Sequence, residues 1–254
     1  MFSNLGSEII NFLRQLVIVI PGLYLGVVLH EVAHGYIAFK SGDPTARNLG
    51  RLTLNPVAHI DIFGSILLPL ILILFRTGFV FGYAKPVPIN PSRFRNYRKG
   101  IRYSSLAGPV TNFLIAFILG CFLGLYIFLI KISQNPIYLE LLKISEKISE
   151  NVLGRESIIT SGALNIFLVF FCKIINYAIF INIILGIFNF LPIPPLDGSN
   201  ILATFLPGNA MYRYISIGRF GFFIIFALFY FARIPLLWAT EKIYLSFIWT
   251  LNLL

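Results

Sequence analysis

The sequence predicts an all-α membrane protein, a polytopic bundle of hydrophobic helices with five to six membrane segments. Three observations carry that expectation. The 254 residues are 57% hydrophobic, with a mean hydropathy of +0.85. Only 12% are charged, about half of the ~25% usual in soluble domains. The apolar residues also fall in runs that reach the ~20 residues a helix needs to cross a bilayer. An aromatic content of 16%, with 26 Phe, fits lipid-facing surface better than a small aqueous core.

The runs follow in order. The first covers 12–39. Arg14 precedes an apolar stretch that continues to Phe39 with no small-residue cleavage site, so this span is expected to stay in the mature chain. The shorter run 62–75 contains Pro69 and is read as a re-entrant or steeply packed segment. In "GYAKPVPINPSRF", prolines at 86, 88 and 91 exclude helix and favour extended backbone. Long runs follow at 103–130 and 162–190. The second ends in Leu191-Pro192-Ile193-Pro194-Pro195, which cannot continue an α-helix. A run at 215–234 comes next. The stretch 235–253, interrupted by Glu241 and Lys242, reads as a last span or a helix lying in the membrane surface. Cys121 and Cys172 lie inside apolar runs and are expected to pack as small hydrophobes.

Charge orients these segments. The net charge of +10 does not point to nucleic acid, because the basic residues sit in loops. Arg76, Lys85, Arg93, Arg95, Arg98, Lys99 and Arg102 crowd the loop 76–102, which holds no acidic residue and is expected on the cytoplasmic side. Loop 131–161 balances Lys131, Lys143, Lys147 and Arg155 against Glu140, Glu146, Glu150 and Glu156, which suits the opposite face. It is too short for a separate folded domain, so 1–254 is expected to be one membrane-embedded domain. The expected setting is a multi-pass protein of the cell (inner) membrane with its site toward the cytoplasm.

The chemistry is concentrated in "LHEVAHG". His30-Glu31-Val32-Ala33-His34 is an H-E-x-x-H pattern, and residues at i and i+4 share one helix face, so both imidazoles reach one metal ion. The intervening Glu31 sits where a base can take a proton from water. In this composition a chance match is about one in a thousand. Histidines alone fit interhelical hydrogen bonding, but that leaves a glutamate buried in the same span without a cation beside it. The third ligand is a His, Asp or Glu from elsewhere, and Asp197 is the leading candidate. It follows the proline break, Gly198 permits a tight turn after it, and the charge-based topology returns it to the side of His30 and His34.

HEVAH in the first long run, Ala107-Gly108-Pro109-Val110-Thr111-Asn112 in the next, and Asn189 followed by Pro192 and Leu196-Asp197-Gly198 together resemble the site-2 protease family over roughly residues 20–200. These are zinc metalloproteases that cut peptide bonds within or near the membrane. The resemblance implies one zinc ion per chain on His30, His34 and Asp197, with Glu31 as the catalytic base. It also implies a role for Asn189 in binding substrate or stabilising the oxyanion. The implied partner is a membrane protein with a transmembrane segment, in the lipid bilayer. Many relatives carry a peptide-binding insert or regulatory domain, for which the loops here are too short. Family members place an extended loop near the active site, matching the segment 82–94, where strand addition would hold an unwound substrate.

His59 and Asp61 form another polar cluster, read either as a relay or auxiliary ligand near the metal, or as interface polarity. Two rival functions compete with this reading: a catalytically idle zinc scaffold, which has no need of Glu31, and a metal-ion transporter, which needs ligands along several spans.

Overall fold

The computed structural model describes residues 2–74, 82–146 and 163–252. Every regular element among these residues is helical. The principal helices are α1 (Phe2–Lys40), α2 (Thr45–Asn48), α3 (Leu68–Leu74), α4 (Tyr97–Ile132), α5 (Tyr138–Glu146), α6 (Ala163–Phe190), α7 (Asp197–Ala203), α8 (Gly208–Ser216) and α9 (Gly221–Asn252).

Three stretches among the described residues are long and apolar enough to cross a membrane: Arg14–Lys40, Tyr97–Ile132 and Ala163–Phe190. They correspond to the runs 12–39, 103–130 and 162–190. The expected count of five to six segments is not confirmed among the described residues. Ile62–Leu72 forms a shorter apolar helix. The runs 215–234 and 235–253 do not form two spans. The helix α9 passes through Pro235 and continues past Glu241 and Lys242 without a break. Of the charges used for orientation, Arg76, Lys147, Glu150, Arg155 and Glu156 lie outside the described residues.

The described helices fall into two compact units. One comprises Met1–Gly26, Asn112–Phe188 and Phe223–Leu254; the other comprises Val27–Thr111 and Asn189–Phe222. The first unit is an apolar bundle with Leu123, Leu141, Val169, Cys172 and Ile179 fully buried. One group of its buried polar side chains lies where α1 meets α6. A Cβ on Gly22 would lie 2.7 Å from the Ala178 Cα, so only glycine allows this backbone approach. Gly22 and Gly26 are spaced as G-x-x-x-G, the spacing that brings membrane helices together, and their carbonyls accept from Asn182 Nδ2 (3.4 Å) and Asn112 Nδ2 (3.3 Å). Asn112 and Asn182 also bond each other at 3.4 Å. Both are fully buried, so each amide ties one span to another where water cannot substitute. Replacing either by Leu is expected to cost ~1 kcal/mol. The double substitution should cost less than the sum, because the pair shares a bond. Thermal unfolding of the variants in detergent checks this.

In the second unit, α1 ends sharply. The Asp43 N–H donates to the Ala38 carbonyl at 3.0 Å, and Gly42 N–H donates to Phe39 at 3.1 Å. Gly42 has φ +114, so this is a Schellman cap that a side chain at 42 would strain. The cap aims the buried Asp43 carboxylate at backbone donors. It accepts from Thr45 N at 3.0 Å, from the Thr45 hydroxyl, and from Asn90 N at 2.6 Å. Burial alone would raise the Asp43 pKa, but these bonds and the nearby Arg93 hold it below the usual carboxylate value. A depressed folded-state pKa gives stability that is present above the unfolded value of ~3.9 and lost as pH falls through the folded one. Asp43→Asn is therefore expected to flatten the loss of melting temperature on acidification below about pH 4.

Candidate active site

His30, Glu31, His34, Asn189 and Asp197 all belong to the second unit. His30 and His34 lie one turn apart on α1 and are buried, at 8% and 7% exposure. Asp197 opens α7, and the residue before it, Leu196, is extended. The three donor atoms converge. His30 Nε2 and His34 Nε2 are 2.9 Å apart, and they lie 3.1 and 3.2 Å from Asp197 Oδ2. Two imidazole nitrogens and a carboxylate oxygen pointed at one spot could hold a metal ion. Their spacings lie close to the ~3.3 Å edge of a tetrahedron with ~2.0 Å metal–ligand bonds. The donor set therefore fits zinc, with one tetrahedral position left over for water or substrate.

The surroundings prepare these ligands. His34 Nδ1 donates to the Ser104 carbonyl of α4 at 2.6 Å, which leaves the Nε2 lone pair for the metal. Burial raises the Asp197 pKa and the two neighbouring imidazoles lower it, the imidazoles prevailing, so the carboxylate is favoured in the anionic form that ligates a cation.

Helix α4 passes directly over the imidazoles. A Cβ on Gly108 would lie 2.4 Å from His34 Nε2 and 2.5 and 2.6 Å from His30 atoms. Glycine at 108 is thus a condition for the histidine pair to sit beneath this helix. The start of the same helix anchors the other half of the site. Arg98 donates to the carbonyls of Thr204 (3.2 Å) and Leu206 (3.1 Å), and Arg102 Nε donates to Thr204 Oγ1 at 3.0 Å. These bonds hold the end of α7, whose first residue is Asp197. At that first turn a Cβ on Gly198 would lie 2.2 and 2.4 Å from the backbone oxygens of Phe190 and Leu191, so the L-D-G turn requires its glycine. The basic residues read from sequence as topology signals thus include two that brace the metal site. Nothing local in the sequence distinguishes them from their neighbours.

Glu31, half-buried beside His30, accepts from the Val87 N–H at 2.7 Å through Oε2. The segment around Val87 is the one expected to form a short extended hairpin. It is irregular, and no strand is present among the described residues. Asn189 is half-buried in the last turn of α6. His59 and Asp61 do not join the metal group. The Asp61 carboxylate caps the next helical turn, accepting from Gly64 N at 2.7 Å. His59 is buried, with Nε2 donating to the Thr53 carbonyl at 2.9 Å.

Comparison with known proteins fits this geometry. The model of a family described as peptidase family M50 matches residues 18–228. A relative in Bacillus subtilis, named "Putative zinc metalloprotease YwhC", is 33% identical over 207 residues, covering 82% of this chain and 77% of its own length. Another, in Mycolicibacterium smegmatis, is named "Putative zinc metalloprotease Rip2". It is 32% identical over 111 residues, covering 43% of this chain and 41% of its own length. No solved structure matches the chain.

Proposed function

The chain belongs to peptidase family M50, the site-2 protease family, and from that premise we propose that it is a zinc metalloendopeptidase. Its substrates are peptide bonds within or near transmembrane segments of other membrane proteins. The observation that carries this reading is the convergence of His30, His34 and Asp197 beside Glu31, on a helix long and apolar enough to cross a membrane. Glu31 precedes Lys40, the end of that helix, by nine residues, or ~13 Å along the axis. With Lys40 at the interface of a ~30 Å hydrocarbon layer, the chemistry falls inside the membrane, near one face. By the positive-inside rule, Lys40 and the cluster Arg93, Arg95, Arg98, Lys99 and Arg102 support a cytoplasmic orientation for that face. The protein is then a multi-pass component of the cell's inner membrane.

Zinc, one ion per chain, supplies the Lewis acidity that activates water and polarises the scissile carbonyl when bound. His30, His34 and Asp197 would hold it. Glu31 has one oxygen engaged by Val87 and uses the other to take the proton of the attacking water, then delivers it to the leaving amine. Asn189 offers an uncharged N–H donor for the developing oxyanion.

The test is the purified chain in liposomes with a panel of single-span membrane substrates. Cleavage is expected with about one zinc per chain, to stop on chelation, and to return when zinc is restored. A zinc-loaded chain that cleaves no member of the panel supports an idle scaffold instead.

A further inference from the structure

The segment 85–90, Lys-Pro-Val-Pro-Ile-Asn, has only four backbone amides because two residues are proline. Three of them are donated to separate partners. Lys85 N–H goes to the His59 carbonyl at 2.8 Å, Val87 N–H to Glu31 Oε2 at 2.7 Å, and Asn90 N–H to Asp43 Oδ2 at 2.6 Å. Two of these acceptors are carboxylates anchored by α1, one on its face and one at its cap. The segment is also held from its other side, since Arg51 Nη2 donates to the carbonyls of Lys85 (2.9 Å) and Pro86 (3.3 Å). Contact with α1 is close. A Cβ on Gly35 would lie 2.8 Å from Val87 Cγ1, and Gly35 follows Glu31 by four residues, on the same helix face. Val87 itself is buried, at 6% exposure. Prolines at 86 and 88 restrict the backbone on either side of it.

We propose that segment 85–90 is a strap that orients Glu31 for proton transfer, and that Arg51 and Asp43 are positioning residues acting through it. A carboxylate on a flexible side chain samples several rotamers. An N–H at 2.7 Å from one oxygen selects among them and leaves the second oxygen for the proton. The donor is a backbone group, so its placement depends on how the strap is held, and Arg51 and Asp43 hold it. The catalytic part of this inference rests on the protease reading above; the physical link between strap and Glu31 does not.

Two measurements on the full-length chain in detergent test it. In hydrogen–deuterium exchange, Glu31→Ala is expected to speed exchange of the Val87 amide at least tenfold. Glu31→Gln, which keeps an acceptor oxygen, should preserve its protection. Asp43→Ala should release Asn90 in the same way. In cleavage assays of zinc-loaded protein, Arg51→Met and Asp43→Ala are expected to lower kcat tenfold or more with KM within twofold. Arg51→Lys should recover most of the rate, since a lysine can still donate to the strap carbonyls. Unchanged Val87 exchange in Glu31→Ala overturns the strap whether or not the chain is a protease. Wild-type kcat in both zinc-loaded variants overturns the positioning role. So does loss of zinc from Arg51→Met, which would mean that the strap supports the fold rather than Glu31. If the wild-type chain cleaves nothing, the protease reading fails, and the exchange result still decides the physical link.

Discussion

Glu31→Gln is expected to lower peptide cleavage by about 10²–10⁴-fold while the protein keeps its zinc. The substitution preserves the length of the side chain and one carbonyl oxygen, so the bond from Val87 N–H can persist. It leaves His30, His34 and Asp197 untouched, and their mutual spacings are set by α1, by Ser104 and by the start of α7. The one property removed is the capacity to accept a proton from water and return it to the leaving amine. The loss should therefore appear in kcat, with KM little changed, because the base acts only in the transition state. Single-turnover cleavage read beside metal content checks both halves. A zinc-loaded variant within tenfold of wild type would remove Glu31 from the chemistry.

Gly108→Ala is expected to cost the protein its metal. The new methyl carbon would lie 2.4 Å from a ligand nitrogen and within 2.6 Å of the second imidazole, far inside van der Waals separation. Neither ring has an easy retreat. His34 is tied through Nδ1 to the Ser104 carbonyl on the same helix that carries residue 108, and both imidazoles are buried. Relief requires α4 to move off α1 or an imidazole to leave its position, and either change separates the donors. A fall in zinc affinity of at least tenfold, the lower end of effects seen on disturbing the shell behind metal ligands, is the expected result. Gly208→Ala is the matched control, because a Cβ there meets nothing within 4 Å. Competition with a zinc-binding dye distinguishes the two. Equal zinc affinity in Gly108→Ala and wild type would show that α4 can shift without cost.

Much of the fold was legible in the sequence because it depends on short-range patterns. Hydrophobic runs located, to within about six residues, the three described helices that are long and apolar enough to cross a membrane. Proline marked the end of one of them, at Pro192. The later part of the chain was less legible. Pro235 and the Glu241–Lys242 pair look like an interruption, yet α9 continues through them. Neighbouring helices and Ser/Thr side chains can satisfy the backbone groups that a proline frees in a membrane helix, so composition alone does not decide where such a helix stops. The G-x-x-x-G spacing of Gly22 and Gly26 is a local signal for close helix packing, but which helix approaches there is decided only in the folded chain.

The sequence by itself determined that two histidines and a glutamate share one stretch of helix. The i,i+4 spacing of His30 and His34 on a helix is a local geometric fact, and Glu31 comes with it. It also pointed to Asp197 through the proline break, although a carboxylate so far along the chain becomes a ligand only once tertiary folding brings it to the histidines. Only the tertiary structure decided what holds these groups in place. Helix α4 makes room for both imidazoles at Gly108, fixes His34 through Ser104, and braces the Asp197 helix through Arg98 and Arg102. The same holds for the strap, whose Val87 amide reaches Glu31 across 56 residues of sequence. The physical reason is one of range. A helical repeat is written in neighbouring residues, whereas a hydrogen bond from a backbone amide, or the space left by a missing Cβ, depends on which distant segment the folded chain brings to it.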